Sequence, residues 1–266
     1  LVKKILSESS IKKDELKFTD EGLNYIIKRY TREAGVREAE RIIRQIARKF
    51  VVRQQKEKID SQVIGVDEVK FYLKKELYDY TKKDKEYMPG VVNGMAYTSA
   101  GGDLLPIEAT FAPGKGKIEI TGNLKETMKE SVNVALGFVK TNAVRFGIDP
   151  EMFGKIDLHI HVPSGGIPKD GPSAGIALTT AILSALKNVK IPSNVAMTGE
   201  ITLRGRVLII GGVKEKTISA YRGGANDIFM PKEDERYLDD VPEEVRSKIK
   251  ITLVDTYDDV YNRLFK

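Results

Sequence analysis

Residues 168–175 of the 266-residue chain read PKDGPSAG, and Ser173 in that stretch opens the apolar run GIALTTAILSAL. Serine is a favoured helix cap, because its oxygen can accept an N–H of the first turn, so capping is the structural reading. The hydroxyl becomes a nucleophile only when a base takes its proton and N–H donors await the oxyanion. A glycine-rich helix start offers such N–H groups, and Gly171, Ala174 and Gly175 leave room for a substrate backbone. Half of an acyl-transfer site is therefore written in this stretch alone.

The base must come from elsewhere, and candidates are few: the chain has two histidines and no cysteine. Thiolate catalysis, disulfides and cysteine-based zinc sites are excluded. His159 and His161, in DLHIHVP, would share one face of a strand with Asp157. An HxH pair can hold a metal, but no third His or Cys stands near, so solvated or hydrogen-bonded strand histidines are expected, and no metal. The other candidates are Lys214 and Lys216 in IIGGVKEKTISA. A lysine base must be neutral near pH 7.5, about 3 units below its reference value of about 10.4, and only an apolar position achieves that. Ile209, Ile210, Val213 and Ile218 could supply it; the stretch alone does not choose between the two lysines.

These residues must be held by a folded frame. The chain is 41% hydrophobic and 31% charged, enough for one large or two ordinary cores. Residues 1–79 read as a small all-helical domain, with GLNYIIKRY, then GVREAERIIRQIARKFVVRQQ carrying Ile42, Ile43, Ile46 and Phe50 at helical spacing, then a short helix capped at Asp67. Residues 80–90, YTKKDKEYMPG, read as a linker, and 91–266 as an α/β or α+β domain. There a hairpin is expected from 103–112 and 116–121, and a helix capped by Asn123 from there to about Arg145. Strands are expected at 156–162, 195–203 and 206–210, helices at 172–187 and 213–222, and a final strand–helix alternation closes the chain.

The net charge of +6 lies wholly in residues 1–90, which hold 22 Lys/Arg against 16 Asp/Glu. That excess raises a nucleic-acid-binding module as the rival to an enzyme, but no aromatic stacking pattern or DNA-binding helix pair accompanies it. No stretch approaches 18 uninterrupted apolar residues, and the first residues show no secretory signal, so a soluble, cytoplasmic protein is expected, with no membrane partner.

PKDGPSAG (168–175), MTGEITLRGRV (197–207) and GGVKEK (211–216), in this order, resemble the peptidase domain of bacterial Lon ATP-dependent proteases, and GGDLLPIEATFAPGKGKIEITG upstream is similar to the same family. The resemblance implies a mixed-sheet peptidase domain and a serine endopeptidase with Ser173 as nucleophile and Lys216 as its partner. It sets Thr198 beside the lysine, with Asp170, Glu108, His159 and His161 as supporting groups around the site. TREAGVREAERIIRQIARK resembles the small helical, lid-type subdomain of the family's AAA+ module, and Arg37 matches its nucleotide-sensing arginine. ATP and Mg in the full-length enzyme, a homohexameric ring, unfolded or damaged protein substrates and an added capacity to bind DNA are likewise implied. Two departures touch the substrate side: Ser164 stands where Glu is usual, and Tyr97 where Trp is common. No GxxxxGK[ST] phosphate loop occurs in these residues, so peptide cleavage without ATP hydrolysis is the expectation, with the nucleotide-binding subdomain lying upstream in the natural protein.

Overall fold

The structure, a computed structural model, describes residues 1–31, 33, 35–78, 88–98, 101–163 and 165–266. The chain divides into two units, Leu1–Lys83 and Asp84–Lys266. Ser164 and most of the expected linker lie outside the described residues.

The first unit contains α1 (Val2–Glu8), β1 (Leu16–Phe18), α2 (Asp20–Tyr30), α3 (Arg37–Glu57), β2 (Gln62–Ile64) and α4 (Val66–Leu73). Thr19 starts α2 by accepting the Gly22 N–H, and Asp20 and Glu21 favour the positive end of the helix dipole. The stripe Ile42, Ile43, Ile46 and Phe50 on α3 is buried against Ile5, Leu16, Ile26, Tyr30, Ile64 and Val69, as its spacing predicts. Two details differ from the sequence reading. Gly65, not Asp67, precedes α4, its N–H held by the Glu68 carboxylate at 2.9 Å. β1 and β2 form a short parallel pair in a region read as purely helical; three residues are too few to show an alternating pattern. Phe50 has no exposed surface, so Phe50→Ala should cost this unit about 3–5 kcal/mol, read as faster amide exchange along α3.

The second unit is a mixed-sheet α/β domain. In chain order it holds β3 (Val91–Thr98), β4 (Gly101–Pro113), β5 (Ile118–Thr121), α5 (Glu126–Thr141), β6 (Ile156–His161), α6 (Gly175–Lys187), β7 (Val195–Met197), β8 (Glu200–Ile201) and β9 (Val207–Leu208). It continues with α7 (Val213–Arg222), β10 (Asp227–Pro231), α8 (Glu243–Arg246), β11 (Lys250–Val254) and α9 (Tyr257–Leu264). The main sheet runs β11-β10-β7-β3-β4-β6-β5, antiparallel at β3/β4 and β4/β6 and parallel at the other pairings. Alternation along β4 sends Ile107 and Ala109 into the core with α5 and α6, while Gly102 and Leu104 meet α7 and its neighbouring segment. Helices therefore cover both faces.

Three expectations for this unit are corrected. β4 and β5 do not form a hairpin, because β6 lies between them. The Pro-Gly loop instead wraps the start of β6, where Asp157 Oδ1 accepts the Lys115 and Lys117 N–H groups at 2.8 Å. Asn123 does not cap α5; it takes the left-handed conformation (φ 60°) and donates through Nδ2 to the Gly165 carbonyl. The strand expected at 195–203 breaks after Met197, where the Thr198 N–H turns to Phe229 O and the Gly199 N–H to Ser173 O.

Candidate active site

Ser173 sits in a single 3-10 turn, Pro172–Ala174, that runs into α6. Gly171 before it has φ 106°, a conformation that suits glycine, and a Cβ added on its open side would meet no atom within 4 Å. The Ser173 carbonyl accepts the Gly199 N–H at 2.8 Å and the Thr198 hydroxyl at 3.2 Å, and the Ile176 N–H returns to Gly199 O at 3.1 Å. The broken strand after β7 thus clamps the serine turn. Gly175 belongs to this clamp rather than to open space: a Cβ there would lie 2.6 Å from the Ile201 nitrogen, and its N–H donates to Pro172 O. Ala174 is buried beside it.

Lys216 comes from α7, a helix that starts at Gly212, in the left-handed conformation, and lays Val213 and Ala220 into an apolar cluster with Met95, Ile210, Ile228 and Met230. Its Nζ lies 3.0 Å from Ser173 Oγ and 3.1 Å from Thr198 Oγ1. Because Thr198 commits its own proton to the Ser173 carbonyl, its oxygen accepts an N–H from the lysine. Nζ also donates to Ser173 Oγ, and when the amine gives up a proton the lone pair it gains is within reach of that hydroxyl. Lys216 is only 3% exposed, and burial pushes its pKa down to about 8, partly opposed by the negative charge of Asp234. Of the apolar residues expected to enclose it, Ile210 and Val213 are buried, whereas Ile209 is exposed. Lys214, two positions earlier, is also exposed.

The other candidate residues fall into separate groups. Asp170 is exposed, and its Oδ1 accepts the Gly171 N–H at 2.9 Å. His159 Nε2 and His161 Nδ1 share Thr121 Oγ1 at 2.8 and 2.7 Å, an arrangement in which at least one ring nitrogen donates. Glu108 stands opposite His161 across the β4/β6 pairing. Among the described residues no group of three His, Asp or Glu could hold a metal ion. Tyr97 is exposed and packs against Gly212, where a Cβ would sit 3.1 Å from its ring. Arg37, in the first unit, opens α3 and lines an open groove of about 450 Å³ with Arg41, Arg44 and Arg48.

Two supports are not legible in the sequence. Lys169 is buried and donates to the carbonyls of Gly122 (2.9 Å) and Ile167 (3.2 Å), tying the loop before Ser173 to the end of β5. Gly102 lies under α7: a Cβ there would come within 2.2 Å of Glu215 O. A lysine and a glycine among many carry no pattern that marks either role.

The family model of the Lon protease (S16) C-terminal proteolytic domain matches residues 63–266, and that of the Lon protease AAA+ ATPase lid domain matches residues 7–63. Over its whole length the chain is 92% identical to Lon protease of Malacoplasma penetrans and 62% identical to that of Mycoplasma genitalium. It is 47% identical, over 98% of its length, to Lon protease of Clostridium acetobutylicum. The chain spans about a third of the length of these relatives.

Proposed function

The chain belongs to the Lon protease family, and from that premise we propose that it is a serine endopeptidase in which Lys216 is the base for Ser173. The observation that carries the reading is the 3.0 Å approach of a buried amine, held by Thr198, to the Ser173 hydroxyl. Neutral Lys216 takes the hydroxyl proton as Oγ attacks the peptide carbonyl, and N–H groups at the start of the helix stabilise the oxyanion. The ammonium then protonates the leaving amine, and water releases the acyl chain by the same route, a lysine variant of the serine triad. A histidine base is disfavoured because the Ser173 hydroxyl meets Lys216, whereas the histidines' side-chain bonds are to Thr121. His159, His161, Glu108 and Asp170 then serve as groups that shape the substrate side.

In the whole protein the substrates are unfolded or damaged chains, the assembly is a ring of six in the cytoplasm, and Arg37 senses a nucleotide bound with Mg. DNA binding through the basic first unit belongs to the same proposal. These 266 residues contain no phosphate loop, so they supply cleavage and not unfolding. The purified chain is expected to cut unstructured peptides without ATP and to leave a stable folded protein intact. A serine-directed fluorophosphonate should label Ser173, with the position read by mass spectrometry. ATP-stimulated degradation of the folded protein, or labelling at another serine, would contradict the proposal.

A further inference from the structure

Asp234 is the one carboxylate among the described residues with no exposed surface at all. It lies in the 3-10 segment Lys232–Asp240, which follows β10 and packs against α7. Its Oδ2 accepts the Ile210 N–H at 3.1 Å, while its Oδ1 has no hydrogen-bond partner. Ile210 stands two residues before Gly212, where α7 begins, so the carboxylate holds the entry to the helix that carries Lys216. A neutral amide could also accept that single N–H, more weakly, and would avoid burying a charge, which is costly when unpaired. The anchor alone therefore does not explain a carboxylate.

The electrostatic surroundings suggest what the charge does. Among the described residues, the negative charge of Asp234 opposes the drop that burial imposes on the Lys216 pKa. In return, Asp234 faces Lys216 from α7 and Arg236 and Glu233 from its own segment; burial raises its pKa, against the pull of the Ile210 N–H and the lysine. We propose that Asp234 is a positioning residue for Lys216, fixing the start of α7 and holding a negative charge that balances the ammonium formed during attack. The inference rests on the Ser173–Lys216 reading. In the attack step the Ser173 O–H bond breaks, an N–H bond forms on Lys216, Oγ bonds to the carbonyl carbon, and the carbonyl oxygen takes the electron pair. Lysine gains a positive charge in an apolar setting, and an ionised Asp234 carboxylate offsets it.

The test compares Asp234→Asn and Asp234→Ser with the parent chain and with Lys216→Ala, following kcat/KM for a fluorogenic peptide from pH 6 to 10 and the rate of fluorophosphonate labelling. Asn keeps an acceptor for the Ile210 N–H, and Ser supplies a second neutral replacement. Without the opposing carboxylate the lysine loses its proton more readily, so the acidic limb should move down by about half to one pH unit. The alkaline plateau should fall about threefold to thirtyfold, because the base is weaker and its ammonium is uncompensated. A smaller folded fraction scales the curve without moving its midpoint, so the midpoint separates electrostatics from damage. Unmoved midpoints in both variants, with or without a uniform loss, would overturn the proposal. An active Lys216→Ala chain would instead sink the underlying reading, whatever Asp234 does.

Discussion

Replacing Lys216 by alanine is expected to remove peptide hydrolysis, a loss of about three to four orders of magnitude, while Lys214→Ala keeps most of it. The contrast follows from position: Lys216 Nζ is 3.0 Å from Ser173 Oγ, and Lys214 faces solvent. With a lysine pKa of about 8, the parent rate should rise roughly tenfold between pH 7 and pH 9, as the neutral fraction grows from about a tenth to about nine-tenths. Stability should follow the same group. The folded-state value lies below the ordinary 10.5, so the fold prefers the neutral amine. That preference is fully expressed above about 10.5 and lost as pH falls through about 8, leaving the fold weaker by roughly 3 kcal/mol at neutral pH. Lys216→Met, which keeps the length without the charge, should therefore be inactive yet at least as heat-stable as the parent at pH 7. Thermal melts at pH 7 and 9, beside peptide assays, check both parts. An inactive and strongly destabilised Lys216→Met would mean that the lysine holds the fold rather than the reaction.

The frame of this site is more legible in the sequence than its details, for a physical reason. Long apolar stripes and strand–helix alternation are set by periodicity, which a sequence displays directly, so α3, α6, α7, the strand DIFMP (β10) and the closing helix α9 stand nearly as expected. Strand neighbours are set by contacts far apart in sequence. Nothing in 103–121 announces that residues 156–161 will slide between the two strands, and the nearby Pro-Gly pair reads like a hairpin turn. The break after Met197 is of the same kind: a continuous β-like run is interrupted because Thr198 and Gly199 have better partners in Phe229 and Ser173. That break is what puts the Thr198 hydroxyl beside Lys216. Asp234 shows the limit from the other side. In KEDERYLDD it is one acid among several, and only the fold separates it from its exposed neighbours.

Gly102→Ala should cost activity about a hundredfold or more without touching any group that reacts. In β4 this glycine lies against α7 so closely that an added methyl would stand 2.2 Å from Glu215 O, 2.7 Å from Glu215 C and 2.6 Å from Ser219 Oγ. Two of these atoms belong to helix backbone, which cannot rotate aside, so the helix itself must retreat by about 1 Å to restore ordinary contact. Glu215 is the residue before Lys216, so the shift is delivered next to the amine. A displacement of about that size between reacting groups is enough for a loss of two orders of magnitude, whereas overpacking costs the fold only about 1–3 kcal/mol. Activity should thus fall far more than stability. Gly154→Ala is the control, because a methyl there meets nothing within 4 Å. Fluorophosphonate labelling of Ser173 should slow in parallel with peptide cleavage in Gly102→Ala and stay normal in Gly154→Ala. If Gly102→Ala labels and cleaves at parent rates, α7 is not rigidly seated on β4, and the sheet does not set the distance between Lys216 and Ser173.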